Sequence, residues 1–214
     1  MEQPRYHHGN LRDTLVNIGT ELLKDRGLAG ISLREIARKV GVGHNAPYRH
    51  FRNKQQLLEA IAEAGFRKLK ARNTRLELEF AHDPEAQLFE SGMHIIIMAS
   101  EQPDLFQLMF GGSLKAEECG EALKEEADEA MRSLVRIILN GQKQQVFVQG
   151  EPAKLALSAM SMVQGLALMV SSGKLRPQLM PAGMAMPSPM PQTLLRGMML
   201  QLFDVFMQGV KVRA

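Results

Sequence analysis

The sequence is poor in cysteine, in tryptophan and in long apolar runs. Cys119 is the one cysteine among 214 residues, so no disulfide can form within the chain, and tryptophan is absent. No run of about 18 apolar residues occurs, so we expect no membrane-spanning segment and no membrane partner. The polar start MEQPRYHHGN lacks the apolar centre of a secretory signal, which together with the single thiol predicts a cytoplasmic protein.

The patterns of catalytic and metal sites are also missing. We find no Ser, His and Asp grouping, no zinc-ligand spacing and no glycine-rich phosphate loop, so we expect no catalytic residue, no bound metal and no cofactor. Apolar residues make up 45% and charged residues 23% of the chain, as in ordinary folded proteins. The sequence therefore predicts a folded protein that is not an enzyme.

Positive charge is concentrated at the N-terminal end. Residues 1–72 hold 14 Lys and Arg against 7 Asp and Glu, whereas residues 73–214 hold 12 against 16. The balances of +7 and −4 give the net charge of +3. This asymmetry indicates a head that binds a polyanion, joined to an acidic body with another task. A basic surface that only faces solvent would give the same counts.

The strongest helix signals lie in the first 80 residues. Apolar residues recur at steps of three and four over residues 11–26, which predicts an amphipathic helix. Ser32 and Glu35 form the Ser-x-x-Glu pattern of a capping box, so a second helix should begin at Ser32. A third, short helix is expected from residues 45–46, with Pro47 in its first turn, and a longer one follows from Asn53.

The third segment carries side chains that suit the grooves of duplex DNA. Asn can pair with adenine, Arg with guanine and the Ala methyl with the thymine methyl, whereas Tyr and Lys suit phosphate oxygens. A short glycine-containing turn joins this segment to the second helix, as in helix-turn-helix proteins. A three-helix packing unit without a DNA role has the same periodicity, but charge, layout and side chains together favour DNA binding. The side chains concerned are His44, Asn45, Ala46, Tyr48, Arg49, His50 and Lys54.

The remaining chain reads as further helices. Apolar-periodic stretches occupy residues 85–101, 104–110, 115–140, 152–172 and 191–210, and only residues 146–149 resemble a strand. Five prolines within residues 176–191 exclude a helix there and predict an exposed loop. The fold class is therefore predicted to be all-α, with about nine helices.

The N-terminal segment resembles the DNA-binding domain of the TetR/AcrR family of bacterial transcriptional regulators. The resemblance covers residues 9–66 and rests on the combined pattern of five short pieces. They are Leu22-Leu23 with Gly27, Ser32-Leu33-Arg34-Glu35-Ile36-Ala37, Gly41-Val42, Tyr48-Arg49-His50-Phe51, and Asn53-Lys54 before Leu57-Leu58.

This resemblance implies a homodimeric repressor that leaves a palindromic double-stranded DNA operator when an effector binds. It implies phosphate contacts at Ser32 and Arg34, and base reading by residues 43–46. Further backbone contacts are implied at Tyr48, His50 and Lys54, and an N-terminal arm with Arg5, His7 and His8 would reach the DNA. Gly43 departs from the polar residue that is commoner at its position, so one contact of the family is missing here.

Two domains follow from this assignment. Residues 1–55 would form the helix-turn-helix domain and residues 56–214 a larger helical domain for ligand binding and dimerisation. Within the second, residues 163–167 and 173–175 are similar to the subgroup whose regulatory domain carries a Trp-His-Gly signature. Only the glycine of that signature is present.

The body is rich in methionine, with 14 of the 15 Met residues after residue 92. Methionine adapts to irregular apolar cavities, so we expect some of these side chains to line a site for a small apolar effector, although each one alone fits an ordinary core. His94, alone on an apolar face, also fits a core role. The predicted pocket residues are Phe89, Met93, His94, Ile97, Phe106, Met109, Phe110, Met131, Leu134, Val163, Leu166 and Met169.

The last two predicted helices carry apolar residues broadly enough for burial on two sides. Packed against the same pair from a second subunit, they would form a four-helix interface. An architectural or partner-binding protein that associates with DNA is the alternative to a regulator. The predicted interface residues are Leu155, Met160, Met162, Leu195, Met199, Leu202 and Phe206.

Overall fold

A computed structural model describes residues 11–114, 119–175 and 189–210. These residues form eight α-helices and two short 3₁₀ turns, Leu28–Gly30 and Pro47–Arg49, which confirms the all-α prediction. Residues 146–149 form no strand, and the Val148 N–H donates to Val210 O at 2.7 Å. The helices are α1 (Leu11–Arg26), α2 (Leu33–Val40), α3 (Lys54–Glu79), α4 (Pro84–Glu101), α5 (Pro103–Phe110), α6 (Glu121–Lys143), α7 (Pro152–Ser171) and α8 (Gln192–Val210).

The head is built from α1, α2 and the beginning of α3, and α1 packs against both of the other helices. Leu15, Leu22, Ile36, Leu57 and Ile61 are fully buried between them. These residues are the apolar faces that the helical spacing predicts, so the polar faces of α1 and α2 remain outside.

Both ends of α2 have the expected local chemistry. Ser32 adopts an extended backbone, and its Oγ accepts a hydrogen bond from the Glu35 N–H at 3.1 Å. Gly41 ends the helix at φ 77°, where a residue without Cβ avoids strain, and the Val42 N–H reaches Ala37 O at 3.0 Å. In a capping box the Glu35 side chain would accept from the Ser32 N–H. Here the Glu35 carboxylate instead accepts from Arg26 at 3.0 Å and from Arg38 at 2.6 Å. Glu35 thereby ties α2 to α1.

The predicted third α-helix is instead the 3₁₀ turn Pro47–Arg49. Pro47 is compatible with the first turn of an α-helix, but only three residues form a helical turn before the extended Asn53 caps α3. Hydrogen bonds of the tighter type surround it: Ala46 donates to Gly43 O at 2.9 Å and His50 donates to Pro47 O at 2.9 Å. The segment keeps a helical path but is shorter than the sequence predicts.

The body is a helical bundle into which α3 continues from the head. Helix α4 packs mainly against α7 and also touches α5, α6 and α8, while α3 lies along α6. A Cβ at Gly92 would come within 2.8 Å of Met199 Cε and 2.9 Å of Val163 Cγ2, so this glycine permits the close crossing of α4 with α7 and α8. Phe106 and Phe147 are the largest side chains fully buried in the body.

Helix α7 is the one described helix that is long and apolar enough to cross a membrane by length and composition. Its best window has a mean hydropathy of 1.5, and 28% of that window is buried. Core helices of soluble proteins pass the same test. Here one side of α7 packs against α4, α5, α6 and α8, and the other side is exposed in the single protomer.

Candidate nucleic-acid interface

Four side chains from α2 and the following turn surround a recess on the surface of the head. Arg34, His44, Asn45 and Tyr48 line this recess, whose volume is about 520 Å³. All four are exposed, Tyr48 to 49%. The sequence names all four as DNA contacts, and the fold brings them to one place. Their donors and acceptors face outward, where base edges and phosphates could be reached.

The recess is held in position by two buried neighbours. Pro47 is buried beneath the turn, and Phe51 is 2% exposed. The Phe51 N–H donates to Pro47 O at 2.9 Å, which closes the turn. Tyr48, Arg49 and His50 are therefore exposed because their neighbours on both sides are anchored in the core.

The remaining predicted DNA contacts lie around the recess. Ser32, Gly43, Arg49 and His50 are exposed. Nothing lies within 4 Å of a Cβ built at Gly43, so the backbone there faces open space. Lys54 is exposed too, but its Nζ donates to Leu28 O at 2.6 Å. Arg5 and His8 lie outside the described residues, and Ala46 is half-buried.

Glu35 lies beside this surface and forms ion pairs with two arginines. The hydrogen bond from Arg38 is the main cause that lowers the pKa of Glu35 below 4.5, with Arg26 adding to it, while burial acts in the opposite sense. The same pair raises the pKa of Arg38. The carboxylate therefore remains charged and paired, and Arg34 lies in the recess without a carboxylate partner among the described ion pairs.

The body contains an apolar cavity of about 460 Å³. Its walls come from α3, α4, α5, α6, α7 and α8, so it lies at the centre of the bundle. Phe66 and Phe110 meet edge to face on one wall, with ring centroids 5.2 Å apart. A volume of this size is typical of small-molecule sites, which run from about 300 to 1,000 Å³.

Five predicted pocket residues line this cavity, namely Met109, Phe110, Met131, Leu134 and Val163. The other seven do not. Met93, Phe106 and Leu166 are buried core residues, and Met169 is 38% exposed. Phe89 is buried, packs edge to face on Phe203 and lies beneath the Arg196 guanidinium, while His94 and Ile97 are half-buried. Helical spacing does not separate cavity walls from core, because both are apolar.

Four polar residues of the cavity were not predicted: Asn73, Ser91, Asp128 and Gln164. Asn73 is 4% exposed, and its Oδ1 accepts a hydrogen bond from Ser91 Oγ at 3.2 Å. The sequence signal for this polar part was that Asn73 and Ser91 interrupt the apolar faces of α3 and α4. They give the cavity a small polar part within an otherwise apolar wall.

His94 lies outside the cavity. Burial is the first cause that lowers its pKa below 6.5; Arg72 lowers it further and Glu101 opposes this. The imidazole is therefore neutral near pH 7, as expected for a histidine packed in a core.

The predicted interface residues divide into two groups. Leu195 and Met199 are buried within the protomer, whereas Leu155, Met160, Met162 and Phe206 are half-buried and Leu202 is 36% exposed. Met160, Met162, Met199 and Phe206 line the cavity. The most exposed apolar side chains of these two helices are others: Leu157, Leu168, Leu200 and Val205, with exposures from 45% to 69%.

The fold and the recess define a helix-turn-helix protein of the class that reads duplex DNA. Residues 15–61 match the family model described as bacterial regulatory proteins, tetR family. Over 53 residues the chain is 43% identical to the class C tetracycline repressor protein of Escherichia coli, a match that spans 25% of this chain and 24% of the repressor. The chain thus matches about a quarter of the length of that relative.

Solved structures cover nearly the whole chain. A protein with unknown function from Rhodococcus sp. RHA1 has a TM-score of 0.79 and 30% identity, covering 99% of this chain and 100% of its own. A TetR-family transcriptional regulator from Pectobacterium atrosepticum has a TM-score of 0.70 and 18% identity, covering 94% of each chain. Residues 15–61 therefore match the tetR family of bacterial regulatory proteins, and the chain shares the fold of a solved TetR-family regulator.

Proposed function

We propose that this protein is a DNA-binding transcriptional regulator that represses transcription as a homodimer and is released from a palindromic operator by a small apolar effector. The observation that carries the proposal is the recess lined by Arg34, His44, Asn45 and Tyr48 on a tetR-family domain. Arg34 would contact phosphate, and Asn45 would read a base edge. Lys54 would exchange the Leu28 carbonyl for a phosphate oxygen when DNA binds.

Dimerisation would use α7 and α8. Leu157, Leu168, Leu200 and Val205 leave apolar surface on these two helices facing solvent in a single protomer. Pairing with the same surface of a second copy would bury it and give a two-fold symmetric molecule. Two heads on one dimer explain why a palindromic operator is expected.

Helix α5 is the element that could connect the cavity to the head. Its first turn brings Asp104 against Gly27 at the end of α1, while Met109, near its other end, packs on Gly65 of α3. Met109 and Phe110 also line the cavity, and Gln107 donates to Ser171 Oγ of α7 at 3.0 Å. An effector that displaces Met109 or Phe110 would therefore shift α5 against both helices that support the head.

Two finer assignments belong to this proposal. We place the division between the DNA-binding and regulatory domains at residues 55 and 56, at the start of α3, whose Leu57 and Ile61 still pack into the head. We also assign the regulatory domain to the Trp-His-Gly subgroup, on the likeness of residues 163–167 and 173–175. Gly173, the first residue of the second segment, follows α7 and adopts the left-handed backbone conformation, at φ 64°.

The first experiment is selection of bound sequences from random duplex DNA with the full-length protein. A symmetric consensus with two half-sites, footprinted on both strands, is the expected result. Operator affinity should fall steeply with salt, because phosphate neutralisation releases counterions. Selection that yields no consensus at low salt would overturn the proposal.

A matched pair of variants links the selected sequence to the recess. Asn45→Ala changes a recess residue, whereas Asn140→Ala changes an asparagine on α6, in the body. The first is expected to lose preference at one position of each half-site and the second to keep the consensus. Sizing at micromolar concentration should give a dimer, and Val205→Glu should give a monomer because it places a charge on the exposed face of α8.

A further inference from the structure

The charges around the cavity have one sign. Twenty-two residues line it, and Asp128 on α6 is the one with a formal charge, since no Lys, Arg or His is among them. Asp128 is exposed at the rim, whereas Asn73 and Ser91 lie buried in the wall. A site for a fatty carboxylate needs a cation or donors for the acid group. This apolar site instead has a carboxylate at its entrance and no lining cation.

The basic residues of α6 do not cancel this charge. Arg132 bonds to Glu125 and Glu129, and Arg136 bonds to Glu129 and Glu77. Lys124 pairs with Glu121 at 3.0 Å. Every cation of α6 up to Arg136 is thus engaged by another carboxylate, and the described ion pairs include none at Asp128.

A second carboxylate lies close by on α6, although it does not line the cavity. Glu126 lies two residues before Asp128, and its Oε2 is buried without a hydrogen-bond partner among the described residues. An unpartnered carboxylate oxygen in a partly buried position is unfavourable, and a nearby positive charge would lessen that cost. The described ion pairs include none at Glu126 or at Asp128, and the two cations one helical turn from Asp128, Lys124 and Arg132, are paired with other carboxylates.

The opposite wall suits the apolar part of a cation. Phe66, Phe110, Phe203 and Phe206 line the cavity together with five methionines, so a ligand would meet ring faces and thioethers. Such a wall removes the hydrocarbon part of a ligand from water. Asn73 accepts from Ser91 through Oδ1, which leaves its amide N–H groups, together with those of Gln164, as donors for a ligand carbonyl or hydroxyl.

We propose that the cavity selects a lipophilic organic cation, with its positive group at Asp128 and its apolar body among the Phe and Met side chains, and excludes carboxylates of the same length. This inference rests on the proposed function in one respect, namely that the cavity is the effector site. It adds the chemical class of the effector.

The test compares three probes with the same ten-carbon chain, all used below their micelle concentrations. They are decyltrimethylammonium, decanol and decanoate, titrated into full-length protein without DNA and followed by calorimetry. We expect the cation to bind about tenfold more tightly than the carboxylate, with the alcohol between them. Decanoate binding as tightly as the cation would overturn the proposal, and so would a failure of all three probes to bind.

Two variants separate charge from hydrophobicity. Asp128→Asn should weaken cation binding about fivefold, as for an exposed ion pair, and change decanol binding less than twofold. Asp13→Asn makes the same charge change on α1, in the head and away from the cavity, and should leave all three affinities unchanged. Equal effects of the two variants on the cation would overturn the role of Asp128.

A separate measurement with operator DNA tests whether a ligand of the cavity acts as an effector. Release of the selected operator by decyltrimethylammonium, but not by decanoate, is the expected result. Cation binding to a protein that selects no operator would overturn the regulator and leave the cavity's selectivity standing. Operator binding without cation selectivity would overturn the proposed selectivity of the cavity and leave the regulator standing.

Discussion

The head and the body of this protein differ in what makes them specific. In the head, four exposed polar side chains are presented by short backbone devices: the Ser32 cap, the Gly41 ending and the Pro47 turn. In the body, a cavity is enclosed by side chains from six helices, far apart in sequence. A surface that reads a rigid polymer needs fixed local geometry, whereas a cavity for a small molecule can be built by packing alone.

The comparison predicts different costs for changing each region. Substitutions in the core of the body should mainly affect stability, those in the recess mainly DNA affinity, and those lining the cavity mainly ligand affinity. The following variants test this division, beginning with the largest expected effect.

Phe106→Ala should lower the free energy of unfolding by about 3–5 kcal/mol, since the ring is 1% exposed and its loss leaves a hole in the core. Phe110→Ala should cost less than half as much, because that ring already faces the cavity. Urea unfolding at one fixed protein concentration, followed by circular dichroism, measures both. Equal losses would show that the cavity wall is packed like core.

Asn45→Ala should weaken binding to the selected operator by about 1–3 kcal/mol and relax preference at the base pair it reads. Arg34→Ala should instead weaken specific and non-specific duplexes alike and reduce the salt slope by about 1. Both side chains are exposed, so unfolding should not change. Titrations at several salt concentrations distinguish the two. If both variants lost the same specificity, the assignment of base and phosphate contacts would be wrong.

Ser32→Ala should cost about 1 kcal/mol of stability, because the Glu35 N–H loses the hydroxyl that accepts its hydrogen bond. Ser158→Ala is the matched control, since this exposed serine lies inside α7 and bonds only to Lys154 O of its own helix. Its loss should be near zero. Thermal unfolding of the two variants side by side gives the difference, and an equal shift would contradict a capping role for Ser32.

His94 should give the smallest effect, visible only as a pH dependence. Its pKa is lowered in the folded protein, so the unfolded chain binds the proton more readily and stability falls as pH drops below 6.5. His94→Gln should lose part of this decline between pH 7 and pH 5. His82→Gln, at an exposed histidine between α3 and α4, should keep the wild-type profile. Identical profiles for wild type and His94→Gln would contradict the lowered pKa.

The sequence predicts the head better than the body for a physical reason. Ser32, Asn53 and Gly41 act within a few residues of themselves, so their caps and turn can be recognised without tertiary information. Pro47 is an exception. The sequence predicts it in the first turn of an α-helix, whereas the segment forms a 3₁₀ turn.

The body shows the limit of periodicity. Met93 and Met109 are both apolar and both on inward faces, yet Met93 is core and Met109 lines the cavity. Which of two inward side chains meets empty space depends on the residues opposite, from helices distant in sequence. Leu195 illustrates the same limit on α8, because it is buried inside the protomer, whereas Val205 is 69% exposed.

The absence of tryptophan makes Tyr48 a built-in optical reporter. The chain has two tyrosines, Tyr6 and Tyr48, both in the N-terminal part, while phenylalanine is the only aromatic residue of the body that absorbs in the near ultraviolet. Tyrosine emission therefore records events at the head without any label. A ligand that enters the cavity changes this signal only if the disturbance travels through the helices, so one cuvette measurement can follow communication between the two ends of the molecule.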